Sequence, residues 1–396
     1  MGKSMWKIVE EHGPLVEALP FSENEYERRL RSLRNAMRLR GLDAFITFTP
    51  ENIYYITGHD SPGYYFYEAS IVTTDERPVN ILRTIEATVT HWRSWSRRAF
   101  AYQDRDDPVE VTIALFDQLG VLSKNIGMES ESFFVTPKTH AALKSAIGQY
   151  GGKVHDAQLI EPLRVVKSGE ELEYVRRGAR VAECAMRAAI DASAAGVSEN
   201  YIAGAMWQAM ASAGGQYAGL PPFITSGKRT SLCHATWAGR SVEPGDVLAY
   251  SLPGVVQRYV APLFRCGTVG TPPAHVQRLA DACIASLEAV AAAIRPGATS
   301  GEVHAANSRT LEKAGYSAGH RTGYSVGINY PPDWGEGAIM SLWDDDFRQL
   351  LPGMIFHIVP GVFVPGEFLI IISDTMLVTD TGCEVLTSFP RQLFTV

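Results

Sequence analysis

The spacing of apolar residues divides the chain into two segments near residue 160. In the first segment, apolar positions recur every three or four residues over 22–40, and Ser22 and Glu25 have the spacing of a capping box. Further helices are predicted at 107–119 and 137–150, and strands at 44–48 and 69–73. Because helices and strands alternate, residues 1–160 are predicted to form a small α/β domain.

The second segment, residues 161–396, repeats one order of elements. Ser168 and Glu171 form another capping box at the start of a helical pattern. The predicted helices are 168–196, 199–212, 275–294 and 301–314, and the predicted strands are 222–226, 246–252, 259–269, 354–364 and 367–378. Two helices followed by strands, twice over, predict an α+β domain with a curved antiparallel sheet and pseudo-twofold helix pairs.

Composition narrows the classes of function. The 396 residues carry a net charge of −7, which argues against nucleic acid as a partner because phosphate binding uses an excess of Lys and Arg. Five widely separated cysteines predict neither a disulfide framework nor a zinc site. No run of 18 apolar residues occurs, and the first 14 residues lack the apolar core of a signal peptide. We therefore expect a cytoplasmic protein without a membrane partner.

Short strings of the second segment resemble the creatinase/aminopeptidase superfamily in their order and spacing. They are Arg164-Val-Val-Lys167-Ser168, His234 ahead of Pro244-Gly-Asp246, Gly323-Tyr-Ser-Val-Gly327, Pro352-Gly353-Met354 and Asp374-Thr-Met-Leu-Val-Thr379. The resemblance implies a two-domain creatinase-like fold, with a pita-bread domain over 161–396. It also implies a homodimer in which the small domain of one subunit closes the site of the other.

The metal ligands of that superfamily are not retained. Its peptidases hold two metal ions with two Asp, one His and two Glu side chains. The matching positions here are Ser251, Pro262, Tyr324, Val359 and Ser373. Such metal ions need carboxylate or imidazole ligands, and proline and valine offer no side-chain donor at all. The resemblance therefore implies the fold without the metal, and we expect no cofactor.

Longer strings resemble the ectoine hydrolases, a metal-free branch of the superfamily that opens a cyclic amidine bearing a carboxylate. They are Arg321 to Glu336, Arg258-Tyr259-x-x-Pro262-Leu-x-Arg265 and Pro390-Arg-Gln-Leu-Phe394. The branch carries a glutamate, implied to be the nucleophile, where this chain has Ser251. The loop over 58–67 also lacks the tryptophan usual in the branch. Both differences put ectoine in doubt as the substrate.

Three residues are the predicted catalytic groups. By resemblance His234 lies beside the substrate, where a histidine side chain can accept and donate protons, although a structural histidine is the alternative. Tyr324 could donate its phenol proton to a leaving nitrogen or could simply be packed. Ser251 is either a nucleophile polarised by His234 or a vacated carboxylate position that leaves room for a larger or neutral substrate.

A second group of residues is predicted to bind the substrate. Arg258 and Arg265 lie seven positions apart, so on one strand only one of them can point into the site. Asp333 and Glu336 could bind an ammonium group or belong to an exposed turn, and the tryptophans could wall a pocket or pack in the core. The complete predicted set is Tyr259, Arg265, Trp237, Asp333, Trp334, His320 and Tyr65.

These observations together predict a function. We expect a metal-independent hydrolase that cleaves a non-peptide C–N bond in a small zwitterionic compound or a cyclic amidine or amide. A protein of this fold that binds a small molecule or peptide without catalysis is one alternative, and a lyase of the same fold is another. The only expected partners are the small-molecule substrate and a second copy of the chain.

Overall fold

The computed structural model describes residues 19–396 and divides the chain into two compact units. One unit ends at Arg164, and the other runs from Val165 to Val396. The first 14 residues, which are expected to lack a signal peptide, lie outside the described part of the chain. Within residues 19–396, no helix has both the length and the apolar character needed to cross a bilayer.

The N-terminal unit is built on a six-stranded mixed sheet with the order β4-β3-β2-β1-β5-β6. Its strands are β1 (Ala44–Thr47), β2 (Ala69–Thr73), β3 (Val79–Arg83), β4 (Ala99–Tyr102), β5 (Asn125–Met128) and β6 (Lys153–Asp156). Its helices are α1 (Glu23–Leu39), α2 (Pro50–Thr57), α3 (Thr84–Arg93), α4 (Pro108–Gln118), α5 (Pro137–Gln149) and the short α6 (Glu161–Arg164). The predicted start of the first helix is confirmed, because the Ser22 side chain accepts a hydrogen bond from the Glu25 amide.

The C-terminal unit repeats helices and strands in the predicted order. Its helices are α7 (Gly169–Asp191), α8 (Glu199–Ser212), α9 (Ala274–Ala293) and α10 (Ser300–Lys313). Between the helix pairs lie β7 (Phe223–Ser226), β8 (Val247–Val256) and β9 (Tyr259–Thr268). The later strands are β10 (Gly323–Ser325), β11 (Ser341–Leu342), β12 (Ile355–Ile358), β13 (Gly361–Val364), β14 (Phe368–Ile371), β15 (Asp374–Val378), β16 (Cys383–Val385) and β17 (Phe394–Thr395).

Two sheets of the C-terminal unit carry most of the residues that line its cavity. The first has the order β17-β9-β8-β7, and the second has the order β11-β10-β12-β15-β16. Helices α7 and α8 bury their apolar faces against the first sheet, with Ala182, Met186 and Met206 in a common core with Leu252 and Leu263. The predicted capping box of Ser168 and Glu171 forms at the start of α7 and fixes where this helix begins.

Helix α7 crosses strand β8 at a point where two glycines meet. A Cβ atom added to Gly254 would lie 1.9 Å from the Gly178 carbonyl oxygen, and one added to Gly178 would lie 2.7 Å from the Gly254 oxygen. Both obstacles are backbone atoms, which cannot turn away as a side chain can. Glycine is therefore required at this crossing, and it sets how closely the helix approaches the sheet.

The replacement Gly254→Ala is expected to lower the free energy of unfolding by about 1–3 kcal/mol, since the helix must move away from the strand. The matched control is Gly204→Ala in α8, because an added Cβ at Gly204 meets no atom within 4 Å. Alanine there should raise the stability by about 0.5–1 kcal/mol through helix propensity. Urea unfolding of both variants checks the prediction, and equal effects would contradict it.

Candidate active site

A cavity of about 390 Å³ lies within the C-terminal unit. One wall is a row of residues that face each other across the first sheet. Phe223 of β7 and Phe264 of β9 both stand opposite Ser251 of β8 in the antiparallel register. Residues paired in this way point to the same face of a sheet, so Ser251 lies between two phenylalanine rings at the cavity wall.

The opposite wall comes from the second sheet and contains two polar aromatic side chains. Tyr324 of β10 pairs with His357 of β12, and both line the cavity. The two walls are joined where the Phe264 amide donates to the Ser373 hydroxyl over 2.7 Å and the Ser373 amide donates to the Phe264 carbonyl over 3.1 Å. Ser373 immediately precedes β15, so it connects the two sheets behind the cavity.

A continuous hydrogen-bond chain runs along the second wall. The Tyr324 hydroxyl lies 2.8 Å from His357 Nδ1, and His357 Nε2 lies 2.7 Å from the Ser373 hydroxyl. Tyr324, His357 and Ser373 are all buried, so their polar atoms must find partners within the protein or in a ligand.

Burial keeps the His357 imidazole and the Tyr324 phenol uncharged. It lowers the pKa of His357 to about 3, and the positive charges of Arg321 and Arg265 act in the same direction. Burial also raises the pKa of Tyr324, although the nearby Arg321 opposes this. At neutral pH, His357 is therefore a neutral imidazole, and Tyr324 is a protonated phenol that can still donate a proton or a hydrogen bond.

The neutral state of His357 predicts a dependence of stability on pH. In the unfolded chain the imidazole has a pKa near 6.5. Between that value and the folded value of about 3, the unfolded state binds a proton that the folded state does not. The free energy of unfolding should therefore fall by about 2 kcal/mol between about pH 7 and about pH 5 through this one group. Urea unfolding of the wild type and of His357→Asn across this range checks the prediction, and parallel profiles would contradict it.

The loop after β10 closes one side of the cavity with Asp333 and Trp334. A Cβ atom added to Gly335 would lie 2.6 Å from the Tyr324 ring, so the loop backbone packs directly on that ring. The loop is fixed by a buried ion pair in which Lys167 Nζ lies 2.7 Å from Glu336 Oε2. Glu336 is therefore buried and already paired with the Lys167 ammonium, so its predicted contact with a substrate ammonium and its predicted place in an exposed turn are both corrected.

Two charged groups at the cavity have no ionic partner within residues 19–396. Arg321 lies with its guanidinium carbon 4.2 Å from the centre of the Tyr324 ring and donates to the Ser341 hydroxyl, a neutral group. Asp333 uses one carboxylate oxygen to accept hydrogen bonds from the Trp334 and Gly335 amides. The cavity thus offers one cation and one anion to a ligand.

The predicted catalytic residues His234, Ser251 and Tyr324 all line this cavity. His234 is exposed at its edge and packs on Phe223, with 5.3 Å between ring centres. Within the described chain, neither the Ser251 hydroxyl nor the His234 imidazole makes a hydrogen bond. Ser251 therefore has no base in contact with it, which favours the vacated carboxylate position over an activated nucleophile.

Three predicted substrate-binding residues are also brought to the cavity, namely Asp333, Trp334 and His320. Trp334 packs on Phe223, with 5.0 Å between the ring centres. His320 packs edge-on against Phe363, and its Nδ1 lies 2.7 Å from the Arg321 carbonyl oxygen, to which it must donate. Burial lowers the pKa of His320, so its imidazole is also held neutral.

Arg265 and Tyr259 do not line the cavity, and their predicted contact with substrate is corrected. The Arg265 guanidinium is fully buried, forms an ion pair of 2.9 Å with Asp374, and donates to the carbonyl oxygens of Phe389 and Pro390. The Tyr259 hydroxyl donates to Glu171 over 2.6 Å. Both residues therefore hold the fold together around the site.

Two further expectations change with the geometry. Arg258 lies in the β8–β9 turn with φ +63°, not on the strand, and packs over Tyr217 and Tyr330. Trp237 is partly buried, packs against the core under α7 and α8 and is not among the residues that line the cavity, which favours the core-packing alternative. Tyr65 belongs to the N-terminal unit, where it is 73% exposed, and its contact with substrate stays a prediction.

The residues present do not fit the metal ions that the fold family implies. Ser251, Tyr324 and Val359 line the cavity, the Pro262 carbonyl accepts a hydrogen bond from Thr375, and Ser373 bonds to His357. No carboxylate stands at any of these five positions. Over residues 19–396, no group of three or more His, Cys, Asp or Glu side chains has an arrangement that could hold a metal ion.

Comparisons with known proteins agree with this architecture. Residues 173–380 match the metallopeptidase family M24, and residues 29–166 match the creatinase/prolidase N-terminal domain. The chain is 30% identical to an ectoine hydrolase of Halomonas elongata over 95% of its own length and 98% of that protein. It is 25% identical to an Xaa-Pro dipeptidase of Pyrococcus furiosus over 93% of its length and 99% of that protein.

A solved structure shows the same fold. The Xaa-Pro dipeptidase from Bacillus anthracis superposes with a TM-score of 0.80 at 20% identity, covering 94% of this chain and 100% of that one. The predicted two-domain α+β fold with a C-terminal pita-bread domain is confirmed.

Proposed function

Since the chain belongs to metallopeptidase family M24, we propose that it is a hydrolase of this family that works without a metal ion and cleaves a non-peptide C–N bond in a small zwitterionic compound. The observation that carries the proposal is the hydrogen-bond chain of Tyr324, His357 and Ser373, which stands where a metal-dependent relative would need ligands. These neutral groups can donate protons and hydrogen bonds to a substrate, whereas a metal ion would supply a positive charge.

The charges and surfaces of the cavity support the class of substrate. Arg321 can bind a carboxylate and Asp333 can bind a cationic nitrogen, and neither has an ionic partner in the described chain. Phe223, Phe264 and Trp334 supply flat apolar surface between these two charges. A small molecule with a carboxylate, a cationic amidine or ammonium nitrogen and a ring between them matches all three features.

Hydrolysis in this cavity uses water as the nucleophile. A carboxylate nucleophile is absent at Ser251, which leaves space against the two phenylalanine rings. His234 at the cavity edge accepts a proton from the attacking water, and Tyr324 donates a proton to the nitrogen that leaves. The carbon keeps the hydroxyl group of the water, and the nitrogen keeps the electron pair of the broken bond.

Loss of the Arg321 charge should weaken the binding of a carboxylate. For the compound that is hydrolysed, Arg321→Met is expected to raise KM by about 10- to 100-fold, the value of a hydrogen bond to a charged group. Arg321→Lys, which keeps the charge, should lose less. The matched control is the carboxamide analogue of the same compound, for which the arginine offers no ionic advantage. Equal losses on the acid and the amide would contradict this role.

The proposal is tested by mass spectrometry of the full chain incubated with a panel of compounds. The panel contains ectoine, hydroxyectoine, creatine, small amidines and lactams, and an Xaa-Pro dipeptide. The expected result, in the presence of a chelator, is one ring-opened product, or two products taken together, heavier than the substrate by one water. Cleavage of the dipeptide alone, and only with added divalent metal, would overturn the proposal in favour of a peptidase. A product without added water would identify a lyase.

The variant Ser251→Glu belongs in the same experiment. It returns the carboxylate found in the ectoine hydrolases that the chain resembles. If only this variant acts on ectoine, the proposed class of reaction is supported and the natural substrate is a different compound. If the wild type hydrolyses ectoine and Ser251→Glu does not improve the rate, hydrolysis of ectoine needs no carboxylate at this position.

A second candidate function is binding without catalysis. The Ser251 hydroxyl, which has no base in contact with it, favours this candidate because no activated nucleophile is present. In the panel experiment, a compound that is bound tightly and recovered unchanged would establish it. A homodimer and a cytoplasmic location remain proposals, and sedimentation of the purified chain tests the first of them.

A further inference from the structure

We propose that His357 and Ser373 are positioning residues that fix the direction of the Tyr324 hydroxyl, so that its proton points away from the protein and towards a ligand in the cavity. Only the transfer of that proton to a leaving nitrogen rests on the proposed hydrolase function. The direction itself follows from hydrogen-bond geometry and is testable without any substrate.

Ser373 determines which atom donates and which accepts in the hydrogen bonds that join Ser373, His357 and Tyr324. Its hydroxyl oxygen accepts the Phe264 amide over 2.7 Å, and its single proton needs an acceptor because the side chain is fully buried. The acceptor within reach is His357 Nε2, 2.7 Å away. Ser373 therefore donates to Nε2, which must carry a lone pair.

The state of the imidazole follows from this bond. A neutral imidazole with an unprotonated Nε2 carries its proton on Nδ1. His357 Nδ1 then donates to the Tyr324 oxygen over 2.8 Å. The imidazole stays neutral because it is buried and because the charged groups acting on it, Arg321 and Arg265, are both positive.

The Tyr324 oxygen consequently receives the hydrogen bond from His357 Nδ1 and does not spend its own proton on it. The phenol proton is then left for a group in the cavity that Tyr324 lines. The same Nδ1–H donor would stabilise the phenolate that forms when the proton leaves.

In the proposed reaction, this proton passes to the leaving nitrogen. The C–N bond breaks with its electron pair on nitrogen, which forms a new N–H bond with the Tyr324 proton. Water supplies the hydroxyl group on carbon and releases its other proton to His234. Solvent then returns a proton to Tyr324, and His234 loses its proton to solvent, so that both residues are restored.

The test is the tautomer of His357, measured by ¹⁵N–¹H spectroscopy of the full chain labelled at histidine. The chain contains ten histidines, and the signals of His357 are identified by their loss in His357→Asn. The expected result is a proton on Nδ1, an unprotonated Nε2 and no titration between about pH 5 and about pH 8. A proton on Nε2 would overturn the proposal, because Tyr324 would then donate to His357.

Two variants test whether Ser373 sets the direction. In Ser373→Ala the donor to Nε2 is lost, and the Nδ1–H signal should give way to the other tautomer or to a mixture. Ser373→Thr keeps the hydroxyl and should keep the wild-type tautomer. An unchanged tautomer in Ser373→Ala would contradict the role of Ser373. The tautomer measurement needs no substrate, so it tests this proposal even if the panel experiment yields no product.

Discussion

Replacement of Tyr324 by phenylalanine lowers kcat by about 10²- to 10⁴-fold and leaves KM nearly unchanged, because it removes a proton donor that acts in the transition state. The phenol is buried at the cavity wall and 2.8 Å from His357. The phenyl ring keeps the packing against the loop that contains Gly335, so the shape of the cavity is retained. Steady-state kinetics on the compound hydrolysed in the panel measures the effect.

The matched control is Tyr250→Phe, which removes another fully buried hydroxyl from the same unit. Tyr250 donates to Ser193 over 2.8 Å and does not line the cavity. This variant should lose about 1 kcal/mol of stability and keep its kcat. If both variants lose the same small fraction of kcat, Tyr324 is a packed tyrosine and not a proton donor.

The replacement Arg265→Met is expected to lower the free energy of unfolding by about 3–5 kcal/mol, because it breaks a fully buried ion pair. The variant removes the guanidinium that lies 2.9 Å from Asp374 Oδ1. It also leaves the carbonyl oxygens of Pro390 and Phe389 without the arginine as a donor. Arg391, 2.7 Å from the other oxygen of Asp374, limits the loss. Urea unfolding at neutral pH measures it.

The control for this prediction is Arg176→Met, which removes a partly exposed ion pair. Arg176 lies 2.8 Å from Glu384, and 36% and 42% of the two side chains are exposed. Solvent screens such a pair, so the loss should stay below about 1 kcal/mol. Similar losses in both variants would show that the buried position of Arg265 gives it no special role.

Local signals in the sequence carried the prediction of most helices. Ser168 with Glu171 identified the start of α7, and the apolar spacing gave the bounds of α8 without error. Strand ends were harder to predict. The apolar run over 354–364 is two strands, β12 and β13, because the backbone leaves the sheet at Val359-Pro360, and proline cannot donate to a ladder.

The position of Arg258 could not be inferred from its spacing. Gln257 and Arg258 both adopt positive φ in the hairpin turn, a conformation that sequence patterns assign to Gly, Asn or Asp. Arg258 therefore lies outside strand β9, which begins at Tyr259 as predicted, and the seven-residue argument about opposite faces does not apply. Arg265 was misassigned for another reason, since its partners come from residues more than a hundred positions further along the chain.

His357 is the functional residue that the sequence analysis missed. It matches no metal-ligand position of the superfamily. Its partners lie 33 and 16 residues away, Tyr324 on strand β10 and Ser373 immediately before strand β15. One signal was available, namely a histidine within the otherwise apolar string Ile355-Phe-His-Ile358. A polar residue in a strand that is buried on both faces is an informative exception, and it points to a partner across the sheet.

The central claim is that this M24 protein hydrolyses its substrate without a metal ion. The most direct measurement is the rate of product formation by the chelator-treated, metal-analysed protein, with and without added divalent metal. We predict the same rate in both conditions, together with a metal content far below one ion per chain. A rate that vanishes with the chelator and returns on addition of metal would contradict the account.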